Sequence, residues 1–224
     1  MAYIITMKKI NKIIAILALL LISTPAFSDW RFGINVSYEN TGAEWEEYGK
    51  KLGVSNIDGF NIGPSVAYEA IENYLDIKSG INFAYNGFTT QDNTIFGKNH
   101  KLAIEETIRL YYLQFPLYVV GKLPIKEAYL LLEAGPIFAA GVGGKAVATL
   151  KTDEEIITGE NNELFKDDLD PFNCSIHFGI GAEYMGARII AGYNLGVYDI
   201  LKDPDSKITT DGFFVSIGYV FDFD

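Results

Sequence analysis

The sequence predicts an all-β protein: an up-and-down antiparallel transmembrane β-barrel of about eight strands, preceded by a cleaved signal peptide. Three observations predict it. The last residues alternate in polarity without a break, the same alternation recurs along the chain, and the connections between alternating stretches are short and long in turn. In the closing stretch, Phe213, Val215, Ile217, Tyr219, Phe221 and Phe223 fall at every second position. Successive side chains of a strand point to opposite faces, so all six share one side. The other side carries Ser216, Gly218 and Asp222, with Phe214 and Val220.

The N-terminus reads as an export signal over residues 1–28, leaving 29–224 as the barrel domain. Lys8, Lys9 and Lys12 form a basic region, Ile13 to Ile22 is an unbroken apolar run, and Pro25-Ala26-Phe27-Ser28 supplies the small residues of a cleavage site. A run of about ten residues is half what a spanning helix needs. Translation from Met1 or from Met7 leaves this reading unchanged. Without its leader the chain holds 15 basic and 29 acidic side chains, a formal −14. That charge argues against nucleic-acid partners, whose phosphates it repels. Cys174 is the only cysteine, so no intramolecular disulfide forms.

Five earlier stretches repeat the alternation. Trp30 to Tyr38 sets Trp30, Phe32, Ile34, Val36 and Tyr38 against Arg31, Gly33, Asn35 and Ser37. Phe60 to Glu69, Leu75 to Tyr85, Ser175 to Tyr184 and Arg188 to Val197 follow the same rule. Thr107 to Lys122 and Ala128 to Ala148 are apolar on both faces and complete an even count of eight, as single-chain bacterial barrels require. Short links fall at Ala70 to Tyr74, Leu123 to Lys126 and Gly186-Ala187. Long polar ones fall at Asn40 to Asp58, Asn86 to Glu106, Lys151 to Pro171 and Asp199 to Asp211. Short turns on one rim and long acidic loops on the other match an outer-membrane barrel, with its termini and short turns periplasmic.

The face rich in glycine, alanine, serine and asparagine is too small and too weakly charged to coat a solvated exterior, and it suits a narrow lumen. Trp30 and Tyr38 stand about 26 Å apart along a strand, which at a tilt of roughly 40° spans about 20 Å of height. The lipid-facing aromatics are therefore expected to be Trp30, Tyr38, Phe60, Tyr68, Tyr85, Tyr184, Phe213, Tyr219, Phe221 and Phe223. The expected lumen charge network is Arg31, Glu69, Asp76, Lys78, Glu133, Glu183, Arg188 and Asp222, gathered toward the short turns. A turn at Gly186-Ala187 makes Arg188 a diagonal neighbour of Glu183, within reach of an ion pair. An eight-stranded barrel is just wide enough for such side chains to fill it.

No catalytic or metal-binding constellation stands out, and no cofactor is expected. The two histidines after the leader are His100, in an expected loop, and His177, inward beside Ser175; a lone inward histidine in a polar lumen reads as a hydrogen-bonded filler. Gly141-Val142-Gly143-Gly144 and Gly179-Ile180-Gly181 precede no helix and are not phosphate loops. The acids Asp153, Glu154, Glu155, Glu160, Glu163, Asp167, Asp168 and Asp170 lack the register of a calcium hand and read as a solvated loop.

Several segments carry a resemblance. Tyr112-Leu113-Gln114-Phe115-Pro116-Leu117, Leu132-Glu133-Ala134-Gly135-Pro136, Phe178 to Tyr184, Gly192 to Gly196 and Ile217 to Phe221 are similar to strands of the PorT-like family of small outer-membrane β-barrel proteins. The resemblance covers most of the chain after the leader and implies insertion in the outer membrane; some relatives are linked to protein secretion. Asp224 departs from the aromatic residue that often ends such chains, which shifts recognition by the assembly machinery to Phe223.

The reading is a monomeric, non-enzymatic barrel in the outer membrane of a Gram-negative bacterium, with a polar, side-chain-filled lumen and a structural or surface-interaction role. Its expected partners are outer-membrane lipid, the barrel-assembly machinery during insertion, and an extracellular or envelope protein at the loops. The alternatives are a narrow pore or secretion accessory, a lipid-modifying enzyme, and a secreted soluble ligand-binding barrel.

Overall fold

The structure, a computed structural model, describes residues 30–47, 50–51, 53–96, 100–151, 156–203 and 205–221; at 47, 50, 91–96, 100–104, 151, 156 and 167 it describes backbone alone. The expected signal peptide, Asp153 to Glu155, Asp222, Phe223 and Asp224 lie outside the described residues, as do the side chains of His100 and Asp167.

The strands are β1 (Trp30–Glu47), β2 (Lys50–Lys51), β3 (Val54–Ile71), β4 (Leu75–Gly80), β5 (Asn82–Phe96), β6 (His100–Ile125), β7 (Ala128–Lys151), β8 (Ile156–Asn161), β9 (Phe172–Tyr184), β10 (Ala187–Gly196) and β11 (Ser206–Phe221). A four-residue helix, α1 (Leu164–Asp167), lies between β8 and β9. All strand pairings are antiparallel, and β1 pairs with both β3 and β11, so the sheet closes on itself. β4 and β5 form one stave interrupted at Ile81, β2 is a short return against β1, and β8 pairs with β7 above the end of β9. The ring thus has eight staves.

Directly paired residues traced around the ring run from Tyr111 through Tyr85, Phe60, Tyr38, Val215, Ala191, Ile180 and Leu132. They return to β6 at Gly121, ten residues beyond the start. For eight strands that stagger corresponds to a tilt of roughly 40°. Three tight connections close the lower rim. Asn73, Lys126 and the pair Met185-Gly186 take positive φ there, of 63°, 56°, 50° and 80°. Two successive positive φ values make the last a type I′ turn, whose twist matches the strands it joins. The turn lies one residue earlier than the sequence predicts, and the register changes with it: Arg188 stands directly opposite Glu183 rather than diagonal to it.

The expected long loops are mostly strand. β1 continues to Glu47, β3 begins at Val54, β5 and β6 stay paired from Asn82↔Gln114 to Phe96↔His100, and β7 and β8 form a hairpin. The polar residues that suggest loops sit on the outward face of these extensions. Above Tyr38, β1 turns Glu44 and Glu46 outward and Ala43 and Trp45 inward; on β6, Arg109 is exposed while Ile108 and Leu110 are buried. Alternation persists, but its sense inverts.

Two interior zones result. Lower down, the outward face carries Phe32, Ile34, Val36, Phe115, Leu117, Val119, Phe178, Ile180, Ile217 and Tyr219, all exposed. A belt of this kind is solvated by hydrocarbon and not by water. Higher up, an apolar core of Ala84, Phe88, Ile108, Leu110, Tyr112, Ala139 and Ala146 fills the barrel and is capped by Leu164, Leu169 and Ile200. Phe165 of α1 sets its ring 5.6 Å from that of Tyr112, edge to face. Lys202 ties this cap together by donating from Nζ to the carbonyls of Phe165 and Lys166, at 3.1 and 2.8 Å. Among the described residues no helix is long and apolar enough to cross a membrane.

Candidate functional site

The lower lumen is where charged side chains converge. Its centre is Asp76 on β4, fully buried, which pairs with Arg31 of β1, with Lys122 of β6 at 2.9 Å and with Arg188 of β10 at 3.6 Å. Lys122 also donates to Glu69 at 2.5 Å. Arg188 Nε donates to Glu183 at 2.6 Å, and Arg31 stands 3.8 Å from the same carboxylate. One layer up, Lys78 donates to Glu133 at 3.2 Å. Four cations therefore meet four carboxylates, the balance that makes burial of charge tolerable.

Above the Lys78–Glu133 pair lies His177. Its ring is stacked between Tyr118 and Phe214, with centroids at 4.2 and 4.6 Å. Nδ1 is 2.9 Å from Asn194 Oδ1, and Nε2 is 3.6 Å from Glu133. Flat contact on both sides fixes the imidazole plane, and the amide and carboxylate fix its rotation. Asn61 donates to Gln114 at 2.6 Å in the layer above, and Thr41 exchanges hydrogen bonds with the Gly87 backbone.

Two cavities remain among these side chains. One of about 40 Å³ lies among Ser37, Asn61, Lys78, Asn82, Glu133 and His177; one of about 30 Å³ lies among Asn86, Gln114, Asn173 and Thr210. Glu39, Ile137 and Asn194 line both, so the two adjoin. Each has room for a few waters and no larger solute. Asn82 Oδ1, Asn86 Oδ1, Asn173 Oδ1 and His177 Nε2 are buried without a protein hydrogen bond, and these are the atoms such waters would serve.

Of the expected network, Arg31, Glu69, Asp76, Glu183 and Arg188 come together around one centre, and Lys78 with Glu133 forms the adjacent layer. Asp222 lies outside the described residues. Sequence reasoning missed Lys122 and Glu39. Lys122 shares its face with Gln114, Tyr118 and Val120, a row disguised by apolar residues on both sides of β6. Glu39 is the next inward position after Ser37, just past the point where alternation seemed to stop. The lumen is also not polar throughout, because the apolar core occupies its upper end.

Of the expected outward aromatics, Tyr38, Phe60, Tyr184, Phe213, Tyr219 and Phe221 are exposed, while Trp30, Tyr68 and Tyr85 are half-buried against neighbouring rings. Trp30 packs on Tyr68 at 5.2 Å, and Tyr85 lies between Phe60 and Tyr111 at 5.8 and 5.4 Å. Phe223 lies outside the described residues. The described acids of the third connection are engaged locally. Glu160 pairs with Lys145, Glu163 with Lys166, and Asp168 accepts from Asn161. Asp170 accepts from Tyr198 at 2.8 Å, which holds that phenol above its ordinary pKa. Among the described residues no group of three or more His, Cys, Asp or Glu side chains could hold a metal ion.

Comparison with known proteins agrees with this architecture. Residues 23–202 match the family described as outer membrane protein beta-barrel domain. No curated protein sequence matches the chain. Similar solved structures include Ail, the attachment invasion locus protein of Yersinia pestis (18% identity, 85% of this chain and 99% of that chain, TM-score 0.32). Neisserial surface protein A is also similar (11% identity, 85% and 97%, TM-score 0.33). So is the outer membrane protease OmpT from Escherichia coli (10% identity, 89% and 99%, TM-score 0.30). The chain belongs to the outer membrane protein beta-barrel domain family, and its place is the outer membrane.

Proposed function

We propose that this outer-membrane barrel is a monomeric, non-enzymatic protein of structural or surface-interaction role, its lumen closed to solutes. Its short turns and both termini are periplasmic, and its extended strands stand outside the cell. The observation that carries the reading is the charge balance of the lower lumen. Four cations and four carboxylates balance around Asp76 and Glu133, and among the described residues Glu39, higher in the lumen, is the one fully buried carboxylate outside that set. The packed core around Phe88, Leu110 and Ile208 supports closure from above. His177 is enclosed between two rings and held by Asn194, which supports a packing role over that of a base acting on lipid.

In this reading the belt from Trp30 to Tyr38 and from Tyr111 to Leu123 contacts outer-membrane lipid, the assembly machinery inserts the chain, and the water-exposed extension meets an envelope or extracellular protein. The finer placement among PorT-like proteins rests on the Tyr112–Leu117 and Leu132–Pro136 segments. In the structure these lie on the neighbouring strands β6 and β7, offset along the ladder, and they meet where Gly135 (φ +156°) comes so close to the Leu117 carbonyl that a Cβ would lie 2.1 Å from it.

A narrow pore is the second reading, favoured by the adjoining cavities and the unpaired polar atoms that face them. Planar-bilayer recording of the purified barrel separates the two. The closed reading expects no steady single-channel steps in molar salt, and reproducible open steps would overturn it.

A further inference from the structure

We propose that Arg109 and Lys145 form a rim site for the phosphate of an outer-leaflet lipid head group. The inference rests on the orientation proposed above, with the extended rim outside the cell. Arg109 on β6 and Lys145 on β7 are directly paired in the ladder. Like charges placed opposite one another destabilise a sheet unless an anion lies between them. Lys145 is partly neutralised by Glu160, at 2.9 Å, a carboxylate that is itself half-exposed. Arg109 is exposed and makes no ion pair or hydrogen bond with the described residues.

Height makes the pair informative. Arg109 lies two residues beyond Tyr111, the uppermost outward aromatic of β6, which at a tilt of roughly 40° puts it about 5 Å above that ring. Below Tyr111 the same face reads Leu113, Phe115, Leu117 and Val119, all exposed. Tyr111 and Tyr85 mark the upper edge of the belt, their rings 5.4 Å apart, so the cations stand at head-group level. Opposite Tyr111 the ladder carries Gly143, next but one to Lys145, where a Cβ would meet only the edge of the Tyr111 ring, at 3.6 Å.

Elsewhere the rim is built differently. On β3 and β11 the outward polar groups just above the belt are the acids Asp58 and Asp211, and tyrosines of the adjoining strands satisfy them: Tyr38 of β1 donates to Asp58 and Tyr193 of β10 to Asp211. In a chain of net charge −11, this sector sets two outward cations side by side, and of the two only Lys145 meets a carboxylate among the described residues. Phosphate supplies what is missing, since one tetrahedral dianion can accept from the guanidinium and the ammonium together.

The test uses the full barrel in nanodiscs of defined lipid. Native mass spectrometry would count retained molecules of a bis-phosphorylated lipid A, the same glycolipid with its phosphates removed, and inorganic phosphate in solution. The expected result is retention of the phosphorylated lipid, weakened roughly 30-fold in an R109A/K145A variant, about one lipid-surface increment for each cation. The dephosphorylated lipid should bind wild type as weakly as the variant does. Equal retention in wild type and variant would overturn the site, and so would inorganic phosphate competing as well as the lipid. An R109Q/K145Q variant serves if the alanine variant fails to fold. Gel migration before and after boiling reports the barrel separately: variants that shift normally yet keep the lipid refute this site alone, whereas a wild type that does not shift refutes the barrel reading.

Discussion

The charged floor of the lumen and the apolar cap above it are built on the same staves yet obey opposite rules. Around Asp76, inward positions carry Arg31, Lys122, Glu183 and Arg188 while outward positions carry Phe32, Ile77, Val119 and Ile189. Around Leu110, inward positions carry Phe88, Ile108 and Ile208 while outward positions carry Glu44, Arg109 and Lys207. The medium outside accounts for the exchange. Where it is hydrocarbon, burying apolar side chains inside gains nothing over leaving them out, and the interior is left to small and paired polar groups. Where it is water, the hydrophobic effect returns and draws the same residue types inward.

The largest expected effect breaks the floor. Asp76→Ala removes the carboxylate that Arg31, Lys122 and Arg188 share and leaves buried positive charge in excess, a loss of about 3–5 kcal/mol. Urea titration of the folded fraction on unboiled gels should find a much lower midpoint, and an unchanged midpoint would mean the network does not hold the floor together.

Leu110→Ala breaks the cap instead, by opening a cavity beside Phe88 and Tyr112. The expected loss is about 2–4 kcal/mol. Because the cap depends on the hydrophobic effect and the floor does not, protease susceptibility of the extended strands should rise while the urea midpoint of the belt changes less. Equal effects on both zones would show that they unfold as one unit.

The smallest effect sharpens the contrast between buried and exposed charge. Lys51 and Glu44 meet at 3.5 Å with both side chains largely in water. Lys51→Ala should change stability by no more than about 0.5 kcal/mol, and raising the salt concentration should erase the difference. A loss comparable to that of Asp76→Ala would overturn the distinction between the two kinds of pair.

Legibility follows the same division. The stretch Trp30 to Tyr38 could be read as strand because hydrocarbon outside and small residues inside give a clean two-residue period. Past Tyr38 the period continues in Asn40, Gly42, Glu44 and Glu46 against Thr41, Ala43 and Trp45, but its sense is reversed, and a search for greasy outward rows mistakes it for loop. Lys122 was hidden for a related reason: its row on β6 contains Tyr112, Pro116, Tyr118 and Val120, so the interior looks as apolar as the exterior. The one-residue displacement of the turn at Met185-Gly186 was decided by backbone conformation, since the glycine supplies the second positive φ of the hairpin.

The sequence by itself determined the barrel class, the stave count, the outward row on most staves and most of the charges that face inward, because each follows from a period-two pattern a few residues long. Only the tertiary structure decided that Asp76 is shared by three cations from three other staves, that β11 closes on β1, and that α1 and Ile200 seal the top. Those outcomes depend on the ten-residue stagger around the ring. It brings residues from positions 31, 76, 122 and 188 to one level, and no local pattern encodes a sum taken over eight neighbouring registers.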